Sequence, residues 1–144
     1  MSLMPNKTKY KKAQKGGKRI HGVANTGDKL CFGGFGLKAL NPGRLEAKQI
    51  EAARKCISRT MKRLGKIWIR VFPHTPVSAK PIGVRMGSGK GPVDYWMCKV
   101  RPGLILFEVD GVAEDVAIEA LQQGAGKLSF KTKIVKLVDN VNNC

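Results

Sequence analysis

The run Gly83-Val84-Arg85-Met86-Gly87-Ser88-Gly89-Lys90-Gly91, bounded by Pro81 and Pro92, has residue types and spacing suited to binding anions. Glycine at every second position from 87 to 91 removes side chains and permits positive φ. Backbone N–H groups can then press against phosphates, while Arg85 and Lys90 add charge. A nucleotide-binding P-loop would need Gly, four residues, then Gly-Lys-Ser/Thr; Val84 stands in place of the first glycine and Gly91 where the hydroxyl belongs. A dinucleotide fingerprint would open a helix, whereas here the third glycine comes one residue early and Pro92 leads into a strand-like run. A flexible hairpin tip is the bland alternative. Ordering such a loop costs about 1–2 kcal/mol per residue, so the run reads as a mobile basic finger that needs a polyanionic partner.

Charge elsewhere supports the polyanion. The 144-residue chain has 27 Lys and Arg against 10 Asp and Glu, a formal net charge of +17. Such self-repulsion disfavours a compact free protein unless a polyanion neutralises it. The excess is lopsided: residues 1–101 hold 23 basic and 4 acidic side chains, residues 102–144 hold 4 and 6. Lys7, Lys9, Lys11, Lys12, Lys15, Lys18 and Arg19 precede any acid, and residues 1–27 read as a basic arm, flexible when free, that folds onto phosphates. As a transit peptide the arm is too Lys-rich, and as a signal peptide it lacks an apolar core. No run of about 18 apolar residues suggests a membrane span. Cys31, Cys56, Cys98 and Cys144 form no Cys-x-x-Cys pair and His21 and His74 are far apart, so neither metal site, cofactor nor disulfide framework is indicated; reduced cysteines, mostly acting as small hydrophobes, are expected.

Periodicity supplies the elements that would carry these cations. Leu30 to Leu40 suggests a strand bent or bulged at Gly33-Gly34. From Leu45 to about Leu64, Ile50, Ala53, Ile57, Met61 and Leu64 recur at helical spacing, with Gly65 placed to end the helix. Its other face carries Lys48, Arg54, Lys55, Arg59, Lys62 and Arg63, and the acids stop at Glu51, as a phosphate-binding surface would require. Residues 66–72 alternate as a strand stopped by Pro73 and Pro76, with His74 in a turn. Residues 93–100 and 104–109, joined by Pro102-Gly103, read as a hairpin. An acidic helix over about 112–127 and a lysine-bearing edge strand over 130–138 follow. The expectation is a single-domain α+β sandwich of mixed or antiparallel strands with two helices over 28–138, a projecting glycine-rich loop and a tail at 139–144.

The order Lys7-Thr8-Lys9-Tyr10, Phe35-Gly36-Leu37-Lys38-Ala39, Gln49-Ile50-Glu51-Ala52-Ala53-Arg54, Gly65-Lys66-Ile67-Trp68-Ile69-Arg70-Val71-Phe72-Pro73 and Arg85-Met86-Gly87 with Gly89-Lys90-Gly91, then Trp96, resembles the universal large-subunit ribosomal protein sixteen family in its bacterial and organellar form. The resemblance runs almost end to end. It implies a monomer within the ribosome that contacts large-subunit rRNA and neighbouring ribosomal proteins on the A-site side of the peptidyl-transferase region. It also implies help in holding tRNA and a part in late subunit maturation. By the same resemblance the arm and the finger reach towards the tRNA acceptor arm, and Arg85 matches an arginine hydroxylated in some bacterial members. Ser88 departs from a common lysine, and Gly17-Lys18 from an arginine-containing turn. The residues expected to meet RNA are Lys7, Lys9, Tyr10, Lys11, Lys12, Lys15, Lys18, Arg19, Arg54, Lys55, Arg59, Lys62, Arg63, Arg85, Met86, Gly87, Gly89, Lys90 and Gly91. Tyr10 is the favoured stacking residue, with Trp68, Tyr95 and Trp96 in or beside the core. The short start, without a presequence, is expected of a bacterial or organelle-encoded chain: bacterial cytoplasm, mitochondrial matrix or plastid stroma. Two alternatives stand beside this reading: an enzyme acting on RNA, which would need a base or carboxylate pair beside the basic surface, and an architectural DNA-binding dimer.

Overall fold

The computed structural model describes residues 3–16 and 20–137; Lys18, Arg19 and the tail lie outside the described residues. In chain order the elements are β1 (Phe35–Ala39), β2 (Gly43–Glu46), α1 (Ala47–Thr60), β3 (Lys66–Ile69), β4 (Thr75–Ser78), β5 (Val93–Val100), β6 (Ile105–Asp110), α2 (Glu114–Ala125) and β7 (Thr132–Lys136). Two antiparallel sheets form, of order β3-β6-β1-β7 and β2-β5-β4. The expected α+β architecture with two helices is present.

The helices form where apolar residues repeat every three or four positions. Ile50, Ala53 and Ile57 of α1 and Ala117, Ala120 and Leu121 of α2 are fully buried. The helices meet closely at Gly124, where an added Cβ would stand 2.6 Å from Ile57 Cγ1. Leu37, Leu45, Val100, Leu106, Phe107 and Val109 join them in one core. Burying a side chain of this size contributes about 1.5–3 kcal/mol.

Several expectations need correction. Residues 93–100 and 104–109 do not pair: β5 lies between β2 and β4, and β6 between β3 and β1. The Pro102-Gly103 turn is present, with Gly103 at φ 93°, but it carries the chain from one sheet into the other. The strand ahead of the finger is β4, so the finger joins the antiparallel neighbours β4 and β5. The first helix begins at Ala47, because Leu45 pairs with Cys98 in β2, and Leu64 is 79% exposed rather than in the core. The bulge of the first strand falls between Leu37 and Lys38, after the glycines. Gly33 instead lets the chain touch β6, since a Cβ there would be 2.6 Å from the Val109 carbonyl oxygen. The lysine-bearing β7 is an edge strand as expected.

Candidate nucleic-acid interface

The basic face of α1 is continuous in space as well as in sequence. Arg54, Lys55, Ser58, Arg59, Lys62 and Arg63 line one open concavity of about 570 Å³. Its far end is shaped by the way the helix stops. Lys62 N–H donates to the Arg59 carbonyl and Arg63 N–H to the Ser58 carbonyl, both at 3.0 Å, which is the Schellman pattern. Glycine usually occupies the left-handed position in that motif, yet here Lys62 (φ 51°) and Arg63 (φ 64°) take it. Two cations are thereby turned onto the helix end, where they also favour the macrodipole. At the near end Glu51 is bonded by Arg54 through Nε (2.8 Å) and Nη2 (2.7 Å), with Lys55 at 3.8 Å. The Arg54 hydrogen bond, opposed by partial burial, holds the Glu51 carboxyl below its usual range. Arg54 is therefore oriented by a partner, while Lys55, Arg59, Lys62 and Arg63 present most of the net charge.

Residues 81–90 are all exposed. Their loop is pinned at its base, where Ala79 N–H donates to the Pro92 carbonyl at 3.1 Å. A Cβ on Gly91 would stand 2.5 Å from the Ala79 carbonyl oxygen, so only glycine fits that crossing. Gly83, Gly87 and Gly89 have φ of 86°, 100° and 89°, with nothing near a would-be Cβ. Lys80 Nζ donates to the Gly87 carbonyl and braces the loop. The arm joins it by a reciprocal clasp: Lys12 Nζ donates to the Lys90 carbonyl (2.8 Å) and Lys90 Nζ to the Ala13 carbonyl (2.6 Å). Arg85 and Met86 stay exposed at the tip, and Lys7, Lys9, Tyr10, Lys11 and Lys15 along the arm. The predicted cations thus fall into two groups, the α1 face and the arm with the finger.

A family model described as ribosomal protein L16p/L10e matches residues 5–135. The chain belongs to the L16p/L10e family of ribosomal proteins. It is 59% identical over 136 residues to the large ribosomal subunit protein uL16 of Chelativorans sp. (strain BNC1), covering 94% of this chain and 98% of that one. Identity and coverage are the same against the protein of that name from Sinorhizobium medicae (strain WSM419), and identity is 57% for that of Mesorhizobium japonicum. Membership makes the chain a structural ribosomal component and sets aside the enzyme and DNA-binding readings. Among the described residues no helix is long and apolar enough to cross a membrane, and no cluster of His, Cys, Asp or Glu could hold a metal ion.

One residue that fastens a loop of this L16p/L10e chain was missed in the sequence. Glu108, in β6, is fully buried, and its carboxylate accepts N–H groups of Cys31 (3.2 Å), Phe32 (2.6 Å) and Gly33 (2.9 Å) and pairs with Arg70. Burial pushes the carboxyl up, but the Gly33 and Phe32 N–H groups, Arg70 and the Cys31 N–H together outweigh it and hold the carboxyl below its usual range. The bonds fasten residues 31–33 onto the four-stranded sheet. The sequence signal was the single acid inside the apolar run Leu104 to Val109, because an acid in a buried strand requires a partner. Tyr10 is 73% exposed, as a stacking residue requires, and Trp68, Tyr95 and Trp96 are half-buried. Of the cysteines described, Cys98 is buried and Cys56 half-buried, but Cys31 is exposed and does not act as a core hydrophobe.

Proposed function

We propose that this chain binds large-subunit rRNA on the A-site side of the peptidyl-transferase region, helps position tRNA, and contributes to late assembly of the subunit. The observation that carries the reading is the finger. Ten consecutive exposed residues, among them Ile82, Val84 and Met86, project from a base only glycine can close. Apolar side chains exposed beside Arg85 and Lys90 at a loop tip mark an interaction surface, and the cations favour a polyanion there. The α1 face supplies the attachment by neutralising phosphates and releasing counterions, and the arm clasped to Lys90 reaches the same region as the finger. In this reading residues 1–27 are the arm and 28–138 the rRNA-binding domain, and neighbouring ribosomal proteins cover part of the remainder. Arg85 is exposed and so accessible to a hydroxylase. The matching relatives are bacterial, which favours a ribosome of the bacterial cytoplasm.

Sedimentation of the native protein in sucrose gradients tests attachment. Co-migration with the large subunit at moderate salt and release at high monovalent salt is expected, and a free, folded protein at the top of the gradient would reject it. Positioning of tRNA is tested by Arg85→Ala. The variant is expected to fold and assemble normally, with a Tm within about 2 °C, because surface changes away from buried features stay within about 0.5 kcal/mol. Accommodation of tRNA at the A site should slow, and unchanged accommodation rates would remove the finger from that role.

A further inference from the structure

The β3 edge of the four-stranded sheet carries a second surface that the phosphate-binding reading does not use. Phe32, on the loop fastened by Glu108, stacks beside Trp68 of β3, with ring centroids 6.1 Å apart and planes 17° from parallel. Lys66 Nζ lies 5.1 Å from the Trp68 ring centre, and the Arg70 guanidinium 5.1 Å from that of Phe32. With Phe72 these rings line an open hollow of about 820 Å³. Phe32 is 57% and Phe72 45% exposed, so aromatic surface reaches solvent from a residue whose backbone is fastened by Glu108. The support is costly to build: it uses a buried carboxylate, three backbone N–H groups and an arginine to fix one exposed phenyl ring.

Two observations select the occupant. The charged residues lining the hollow are Arg54, Lys66 and Arg70, with no acid among them. Arg54 and Arg70 are paired with Glu51 and Glu108, and Lys66 enters no ion pair among the described residues. Arg54 and Ser58 also line the α1 concavity, so the two surfaces are continuous. A flat π-face next to a row of phosphate-binding cations is the arrangement that holds single-stranded nucleic acid.

We propose that the Phe32/Trp68/Phe72 hollow takes an unpaired base of the rRNA strand whose phosphates run along the α1 face. The assignment rests on the rRNA-binding reading and adds a stacking site to it. Base stacking on one aromatic ring is worth about 1–3 kcal/mol, roughly 5- to 150-fold in affinity.

The test measures binding of the full chain to a twelve-nucleotide oligoadenylate and to a twelve-base-pair RNA duplex over a range of salt concentrations. Four proteins are compared: wild type, Phe32→Leu, Phe32→Tyr and Arg59→Ala. Phe32→Leu is expected to bind the single strand about tenfold more weakly at every salt concentration without changing the slope of log K against log salt. Phe32→Tyr, which keeps the ring, should restore binding. Arg59→Ala should instead reduce that slope by about one. In a Trp96→Phe background the remaining Trp68 emission should be quenched by the single strand and not by the duplex. Wild-type affinity in Phe32→Leu, with Arg59→Ala still lowering the slope, would overturn the stacking site and leave rRNA binding standing. Absence of RNA binding by every protein would remove both. If Phe32→Leu leaves RNA binding intact while subunits carrying it lose a neighbouring protein, the hollow is a protein contact and the proposal fails.

Discussion

Two glycine-bearing loops of this molecule meet opposite fates. Residues 31–33 turn three N–H groups onto Glu108, an anion supplied by the chain itself. The finger is crossed at its base by one backbone hydrogen bond, braced by Lys80 and clasped by Lys12, and none of the ion pairs among the described residues includes Arg85 or Lys90. Glycine makes both conformations possible, and the carboxylate makes only one of them complete. A loop saturated from within serves as scaffold. A loop left with exposed cations and N–H groups is available to an anion from outside, which in the function proposed above is RNA.

The contrast breaks most severely at Glu108. Glu108→Ala leaves three N–H groups and Arg70 without their anion, and losing one member of a buried pair costs about 3–5 kcal/mol. Urea unfolding should show that loss, and hydrogen exchange at residues 31–33 should rise towards the rates of the finger. The pH dependence follows in sign. A carboxyl held below its unfolded-state value contributes stability that is complete above that value and is lost as pH falls through the lower folded one. Wild-type stability should therefore fall in the acid range below about pH 4.3, and Glu108→Gln should flatten that part of the profile. Unchanged exchange at 31–33 in Glu108→Ala would show that the loop is held by its contacts with β6 instead.

These two loops also show what the sequence could reveal. The exposed, basic character of the finger follows from its own residues, and Ile50, Ala53 and Ile57 announce a helix because their spacing is a local property. Pairing across distance is not local. Glu108 takes partners 75 to 77 residues earlier, and nothing around it in the chain names Phe32 or Gly33. Pro102-Gly103 specifies a turn but does not specify whether the strands it joins share a sheet. Short β2 (Gly-Arg-Leu-Glu) and β4 (Thr-Pro-Val-Ser) carry one and two apolar side chains and the latter contains Pro76, so neither shows the alternation that marks β3. The basic surface of α1 was legible for the same reason as its core face, whereas the aromatic hollow depends on Phe32 being carried 36 residues along the chain to Trp68.

Within the finger, two glycines sharpen the contrast between base and tip. Gly91→Ala places a methyl 2.5 Å from the Ala79 carbonyl oxygen, so backbone must move, and a loss of about 1–3 kcal/mol is expected, as for other overpacked sites. Gly87→Ala meets nothing within 4 Å and is penalised only through φ of 100°, by about 1–2 kcal/mol and without displacing a neighbour. Thermal unfolding of the two variants should rank them in that order. The reverse ranking would mean that the tip, not the crossing with Ala79, fixes the finger.

The smallest expected effect tests whether conformational cost and RNA contact are linked at the end of α1. Lys62 holds the left-handed position of the Schellman motif, where glycine is about 1 kcal/mol easier to accommodate. Lys62→Gly should therefore raise the free energy of unfolding by up to that amount. It also removes one cation from the concavity lined by Arg59 and Arg63, so RNA affinity should fall and the salt slope decrease by about one. Opposite signs in the two measurements would mark Lys62 as a residue kept for its charge at the expense of stability, the counterpart on a helix end of the finger's exposed tip. Higher stability with unchanged RNA affinity would confine the interface to Lys55, Arg59 and Arg63.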